Sequence, residues 1–242
     1  MKDLDSTPLR ELPPELKRQL LAFTEQLENK LGASLVALFV FGGAARGEYH
    51  VGSSDIDCAI VLDSATPELL IGLGNLLQLG RFQSRFESII LTLEEVQHAA
   101  DAFPIFYSDM RRCHVLLTGR DVLSDLQISD HHLRLRVEQE LRDCQIHLRR
   151  AITDSMGESH ALAGAVIRKV KQIRAPLRAL AQLEGRSVAD KMGEVLADAG
   201  RRFQLDVSPL SEPDRAPVVS VGTLMELLSR SIEVVDRMSG EA

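Results

Sequence analysis

The chain has 242 residues, 45% hydrophobic and 26% charged, which excludes wholesale disorder and leaves room for one large domain or two modest ones. A formal net charge of -7 disfavours nucleic acid as a general partner, because backbone binding needs a basic surplus, and disfavours docking on anionic lipid. The 3 cysteines are too far apart for a disulfide framework or a zinc site, and no apolar leader or span is visible, so we expect a cytoplasmic protein away from membranes.

The first half of the chain alternates helices and strands. A helix is predicted to start at Pro13 or Pro14, residues suited to a first helical turn, and to run to Leu31, with Gly32 as its cap. Short apolar runs predict buried strands, and Thr92 is the expected N-cap of a helix that follows one of them. The predicted strands are 34–41, 55–62, 86–92 and a short one near 113–117, with a helix over 67–79.

The second half of the chain carries helical patterns throughout. The predicted helices are 132–153, 159–183, 187–203 and 221–238, with Pro176 as a kink in the second. We therefore predict an α/β (α+β) fold class, in which a domain with a short mixed sheet over residues 1–128 precedes an all-α helical bundle over residues 129–242.

Four cations of the second predicted helix recur at helical spacing: Arg168, Lys171, Arg174 and Arg178. A solvated face is the favoured interpretation of this pattern. A face that meets phosphates or an anionic acceptor is the alternative.

The chemistry of this chain is concentrated in residues 40–62, VFGGAARGEYHVGSSDIDCAIVL. Asp55 and Asp57 stand one residue apart at the start of an apolar strand, so their side chains point to the same face. Two carboxylates held close together repel each other, and a divalent cation removes that repulsion. The pair therefore predicts a Mg²⁺ site whose shell is completed by substrate phosphates and water.

The loop before these aspartates offers groups that bind phosphate. Gly42 and Gly43 end the preceding strand, where the absence of a side chain lets backbone N–H groups approach phosphate oxygens. Arg46 can supply a fixed positive charge to a phosphate, or it can pair with Glu48 at the surface. Together with the aspartates, the loop predicts a site for a triphosphate and its metal ion.

This segment resembles the DNA polymerase β-like nucleotidyltransferase superfamily. The family pattern joins a Gly-Ser strand end and an Ala-Arg-Gly triplet to a Ser-Asp-x-Asp element, and the matching residues here are Gly42-Gly43, Ala45-Arg46-Gly47 and Ser54-Asp55-Ile56-Asp57. The resemblance covers about residues 34–92. It implies that Gly42, Gly43, Arg46 and Ser54 bind the nucleotide. One departure is Gly43, which stands where the family has a serine whose hydroxyl helps to hold the terminal phosphates.

Family members that catalyse transfer often carry a third carboxylate on a later strand. The best match is Glu87, because the aminoglycoside nucleotidyltransferases place a glutamate in a similar strand before the same kind of apolar run. The resemblance implies that Glu87 binds metal or deprotonates the acceptor hydroxyl. Asp109 is the reserve candidate.

The resemblance implies transfer of a nucleoside monophosphate, with AMP as the first candidate, from Mg²⁺-bound ATP or another NTP to a hydroxyl group. The acceptor is left open between a small molecule of the aminoglycoside type and a protein. A third hypothesis is a catalytically altered descendant that binds a nucleotide, or a protein partner as toxin–antitoxin modules do. Nucleotide preference is also open, as is oligomeric state, for which a homodimer is one candidate.

Overall fold

The computed structural model describes residues 4–188 and 190–238. These residues form two compact units. One contains the described residues up to Ala102 together with Phe106–Gln127, and the other contains Phe103–Ile105 together with the described residues from Ile128 onward. The predicted fold class is confirmed, since a mixed α/β part with a small mixed sheet precedes a mostly helical part.

The elements alternate as expected in the first part and are helical in the second. The strands are β1 (Leu35–Phe41), β2 (Ile56–Leu62), β3 (Phe86–Thr92) and β4 (His114–Gly119). The helices are α1 (Pro14–Leu31), α2 (Gly42–Ala45), α3 (Pro67–Ser84), α4 (Leu93–His98), α5 (Pro104–Arg112), α6 (Asp130–Asp154), α7 (Ser159–Leu183), α8 (Met192–Phe203) and α9 (Pro217–Arg237). No described helix is both long and apolar enough to cross a membrane.

The sheet of the first unit has the strand order β3-β2-β1-β4. β1 runs antiparallel to β2 and to β4, whereas β2 and β3 are parallel. One buried apolar cluster lies against one face of this sheet, where alternate β2 residues such as Cys58 and Ile60 join Leu20 and Leu27 of α1. Side chains alternate between the faces of a strand, so the intervening β2 residues, including Asp57, lie on the opposite face.

Two helices in the first half of the chain differ from the sequence prediction. α3 continues to Ser84 instead of ending near residue 79. Gly80 does not break it, because the helix packs closely there: an added Cβ would lie 3.2 Å from Phe23 Cε2. The helix ends at Arg85, which adopts the left-handed conformation. Helix α5 was not predicted, because a segment of 9 residues repeats the helical period too few times to be recognised.

The second unit is built from α6, α7, α8 and α9 around a leucine-rich core. α8 begins at Met192, five residues later than predicted. The physical reason lies in α7: Arg178 Nε lies 2.7 Å from Asp190 Oδ1, and Arg174 Nη1 donates to the Asp190 carbonyl at 3.2 Å. These contacts hold the residues before Met192 in a non-helical path.

The favoured interpretation of the α7 cations as a solvated face is wrong for two of them. Arg174 and Arg178 are only 8% and 5% exposed, whereas Arg168 and Lys171 are exposed. Helical periodicity places the four cations on one face, but it cannot reveal that a later segment of the chain covers part of that face.

Removal of Arg178 is therefore expected to destabilise the protein. Arg178→Ala would leave the Asp190 carboxylate without the guanidinium that pairs with it. The free energy of unfolding should fall by about 3 kcal/mol. Arg168→Ala, which truncates an exposed arginine of the same helix, should change it by less than about 0.5 kcal/mol. Urea denaturation followed by circular dichroism measures both, and equal effects would show that the Arg178 pair contributes little.

Candidate active site

Three acidic residues meet at the start of two parallel strands. Asp57 is the second residue of β2, and Asp55 precedes that strand directly. The parallel register places Asp57 opposite Glu87 of β3. Opposed residues of neighbouring strands project from the same face of a sheet, so the carboxylates of Asp57 and Glu87 share the face opposite Cys58 and Ile60.

Asp57 is the central carboxylate of this group. Its pKa is raised above the ordinary value of 3.8, first by burial and then by the negative charges of Asp55 and Glu87, while Arg46 opposes the rise. The Asp57 carboxylate makes no hydrogen bond or ion pair with any side chain or backbone group in the described part of the chain, although its backbone pairs in the sheet. The charged form of a half-buried carboxylate that lies near two others and has no direct partner is unfavourable, and a bound cation would stabilise it.

Each outer carboxylate is paired with an arginine from the end of α3. Arg85 Nε donates to Asp55 Oδ1 at 2.7 Å, and Arg81 Nε donates to Glu87 Oε1 at 2.8 Å. No role was predicted for these arginines from the sequence. Their four-residue spacing immediately before a strand that carries a candidate glutamate is the signal that could have revealed them.

The glycines at the end of β1 have different structural roles. Gly42 has a φ of 69°, and a Cβ built on it would lie 2.2 Å from Asp57 Oδ2. Only glycine therefore leaves room for the Asp57 carboxylate in its observed position. Gly43 lacks a positive φ, and the atoms nearest to a built Cβ, Arg46 Nη2 and the Glu48 carbonyl oxygen, are 4.0 Å away. The backbone thus accepts a side chain at position 43.

Arg46 follows the single turn of α2 and is largely buried, with 12% of its side chain exposed. Its Nε lies 2.9 Å from Glu48 Oε2, and its Nη1 lies 3.4 Å from Asp109 Oδ2. The pairing with Glu48, which was the alternative to phosphate contact, is present, and both side chains are partly buried. Asp109, the reserve third carboxylate, contacts Arg46, whereas Glu87 lies beside Asp57 in the sheet.

Ser54 takes part in the loop that leads to β2. Its hydroxyl oxygen accepts a hydrogen bond from the His50 backbone N–H at 2.9 Å, which closes a turn over residues 50–54. The structure therefore shows a local contact for this serine, and a nucleotide contact stays a prediction.

The donor chemistry of this group fits Mg²⁺. Carboxylate oxygens are the protein ligands that Mg²⁺ prefers, and it commonly takes one or two of them with the remainder from phosphate and water. In residues 4–188 and 190–238, no set of three His, Cys, Asp or Glu side chains is already gathered tightly enough to hold an ion. Asp55 and Asp57 supply a partial shell of the kind that a metal bound to a nucleotide would complete.

Comparison with known proteins defines the class. Residues 18–117, which include β1, β2, β3 and the carboxylates, match the nucleotidyltransferase domain family. Residues 18–117 are therefore similar to nucleotidyltransferase domains, and the resemblance to the DNA polymerase β-like nucleotidyltransferase superfamily is confirmed. No curated protein sequence matches the chain.

A similar solved structure extends the likeness to the helical part. It is the crystal structure of spectinomycin adenyltransferase from Enterococcus faecialis with ATP and spectinomycin. The match has a TM-score of 0.53 at 12% sequence identity and covers 91% of this chain and 99% of the other. At this identity the likeness shows a shared fold, in which a helical part follows the nucleotidyltransferase domain.

Proposed function

We propose that this protein transfers a nucleoside monophosphate, with AMP as the first candidate, from a Mg²⁺-bound NTP to a hydroxyl group of an acceptor. The observation that carries the proposal is Asp57, a half-buried carboxylate with a raised pKa that lies beside Asp55 and Glu87. Carboxylates held this close together destabilise the folded protein when no cation is bound. Such groupings are typical of sites that bind a cation for function.

The residues present would hold the metal at the start of β2. Asp55 and Asp57 are the proposed ligands, and Glu87 is the third candidate. When bound, Mg²⁺ would neutralise negative charge on the triphosphate as the α-phosphorus is attacked.

The chain's own groups would orient the nucleotide and remove a proton. The backbone N–H groups at Gly42 and Gly43 and the guanidinium of Arg46 are proposed to bind the β- and γ-phosphates. Glu87 is proposed to accept the proton of the acceptor hydroxyl. Its hydrogen bond from Arg81 fixes one carboxylate oxygen and so holds the side chain in place before substrate arrives.

A small-molecule alcohol is the first acceptor class to test, and a protein hydroxyl is the second. The structural neighbour was crystallised with ATP and spectinomycin, which supports ATP as the first donor and a small alcohol as the first acceptor. The alternative function is a catalytically altered protein that binds a nucleotide or a partner protein, and Gly43 in place of the family serine favours it.

We expect the protein to bind a non-hydrolysable ATP analogue only when Mg²⁺ is present. Isothermal titration of the wild type with and without Mg²⁺ measures this, and the Asp55→Ala/Asp57→Ala double variant should lose the metal-dependent binding because it loses both proposed ligands. The variant removes two negative charges at one site, so Asp125→Ala/Asp63→Ala, which removes two exposed aspartates of the same unit, is the matched control.

Transfer itself is tested by incubating the protein with ATP, Mg²⁺ and a panel of alcohols, and measuring release of pyrophosphate. Release that depends on an acceptor and on Asp57 would support the proposal. Failure of the wild type to bind ATP, GTP, CTP or UTP analogues would contradict it and would favour the partner-binding alternative.

A further inference from the structure

Arg85 occupies a backbone position that is normally given to glycine. It follows the last residue of α3 with φ 55° and ψ 38°, in the left-handed region. Glycine is the usual residue at such helix ends because a Cβ is strained there. The Arg85 carbonyl also accepts a hydrogen bond from Ile56 N at 2.9 Å, which ties the end of α3 to the start of β2.

The Arg85 side chain is a clamp on the segment that carries Asp55. Nη1 donates to the Gly52 carbonyl at 3.0 Å and Nη2 donates to the Ser53 carbonyl at 3.3 Å. Nε donates to Asp55 Oδ1 at 2.7 Å, so all three guanidinium nitrogens are used on residues 52–55. The fixed fork of an arginine suits this geometry, whereas a lysine ammonium offers only a point charge.

Stability does not account for this arrangement. The Arg85 and Asp55 side chains are 49% and 45% exposed, and exposed ion pairs contribute little to folding. The left-handed backbone of Arg85 is strained, and its ion pair adds little folding stability to offset that strain, which points to a role in the site. What the clamp does achieve is to fix the backbone of residues 52–55 and the orientation of the Asp55 carboxylate.

We propose that Arg85 is a positioning residue that holds Asp55 ready for the metal–nucleotide complex. This inference rests on the proposed function. Asp55 Oδ2 accepts no hydrogen bond from the described residues, so one oxygen is held by Arg85 and the other is presented to a cation. A carboxylate oriented in advance loses less conformational freedom on binding, and the groups that orient metal ligands affect affinity strongly.

The opposing effect is the positive charge of the guanidinium, which repels a cation nearby. We expect positioning to outweigh repulsion, because the guanidinium is held against the Asp55 carboxylate and the carbonyls of Gly52 and Ser53, whose negative ends screen its charge. Loss of Arg85 should therefore weaken metal binding. If repulsion dominated, loss of Arg85 would strengthen it.

The test is the binding of Mn²⁺, used in place of Mg²⁺, together with α,β-methylene-ATP, measured from the electron paramagnetic resonance signal of free Mn²⁺. Arg85→Gly should raise the dissociation constant by about 10-fold or more, and Arg85→Lys should do so nearly as much. Arg85→Asn is a second variant, since asparagine tolerates the left-handed conformation. Gln204→Gly is the matched control, because Gln204 has a similar left-handed φ of 50° after α8.

The melting temperature of each variant separates positioning from structural damage. The inference requires weaker Mn²⁺ binding in Arg85→Gly or Arg85→Asn at a melting temperature near that of the wild type. Binding as tight as the wild type, or tighter, in a folded variant would overturn the inference and leave the proposed function standing. Absence of binding in both the wild type and Gln204→Gly would contradict the proposed function and the inference together.

Discussion

Asp57→Asn is expected to abolish nucleotidyl transfer and, in the absence of metal, to stabilise the protein at neutral pH. Transfer should fall by roughly 10³-fold or more, because an amide cannot supply the negative charge that a metal ligand needs. Stability should rise by about 1 kcal/mol or less, because the variant removes a half-buried charge that lies near Asp55 and Glu87. A gain of stability with a loss of activity is typical of a residue retained for function.

The pH dependence of this gain follows from the direction of the Asp57 pKa shift. Below the unfolded-state pKa near 3.8, the carboxyl is neutral in both states and has no electrostatic cost. Between that value and the raised pKa of the folded protein, the unfolded chain releases the proton while the folded carboxyl still holds it, so the wild type loses stability as pH rises, and the loss is complete above the folded-state pKa. The difference in unfolding free energy between Asp57→Asn and the wild type should therefore grow from acidic to neutral pH.

Urea denaturation at pH 4 and pH 7, with EDTA present, measures the effect of Asp57→Asn. Asp125→Asn, which neutralises an exposed aspartate of the same unit, should show neither the gain nor the loss of transfer. Addition of Mg²⁺ with a nucleotide analogue should reverse the order of stability, since ligand binding stabilises only the protein that binds. A wild type more stable than Asp57→Asn in EDTA would contradict the electrostatic account of the site.

Gly42→Ala is expected to disrupt the same site by steric means. The new Cβ would lie 2.2 Å from Asp57 Oδ2 and 3.2 Å from Asp57 Cγ, so the carboxylate must rotate away from its position. A metal ligand displaced by about 1 Å costs on the order of 100-fold in rate. The positive φ of 69° adds roughly 1–2 kcal/mol of backbone strain. Transfer assays and thermal unfolding measure the two effects separately.

Gly43→Ser tests whether the glycine next to Gly42 tolerates a side chain. A built Cβ at position 43 has its nearest atoms 4.0 Å away, so the free energy of unfolding should change by less than about 0.5 kcal/mol. The substitution introduces the hydroxyl that the family uses on the terminal phosphates, and the nucleotide analogue should bind more tightly. Equal damage from Gly42→Ala and Gly43→Ser would mean that the end of β1 tolerates no side chain at all and that the Asp57 contact is not the cause.

Local patterns in the sequence were sufficient for much of this structure. Helical spacing predicted α1, α6 and α7 to within a few residues, because a long amphipathic face repeats its signal many times. The spacing of Asp55 and Asp57 at a strand start predicted a shared face, because side chains alternate along any strand. The strand–loop–strand pattern around Gly42 and Gly43 was enough to indicate the superfamily.

Tertiary structure decided what depends on partners distant in the chain. The parallel register that places Glu87 opposite Asp57 joins strands separated by α3, and no local period encodes it. The pairs Arg81–Glu87 and Arg85–Asp55, and the burial of Arg174 and Arg178 against Asp190, likewise depend on distant residues. Local patterns by themselves thus determined which residues of this protein share a strand or helix face. Packing decided which of those faces is covered and which charges meet, because burial and ion pairing are properties of pairs brought together only by the fold.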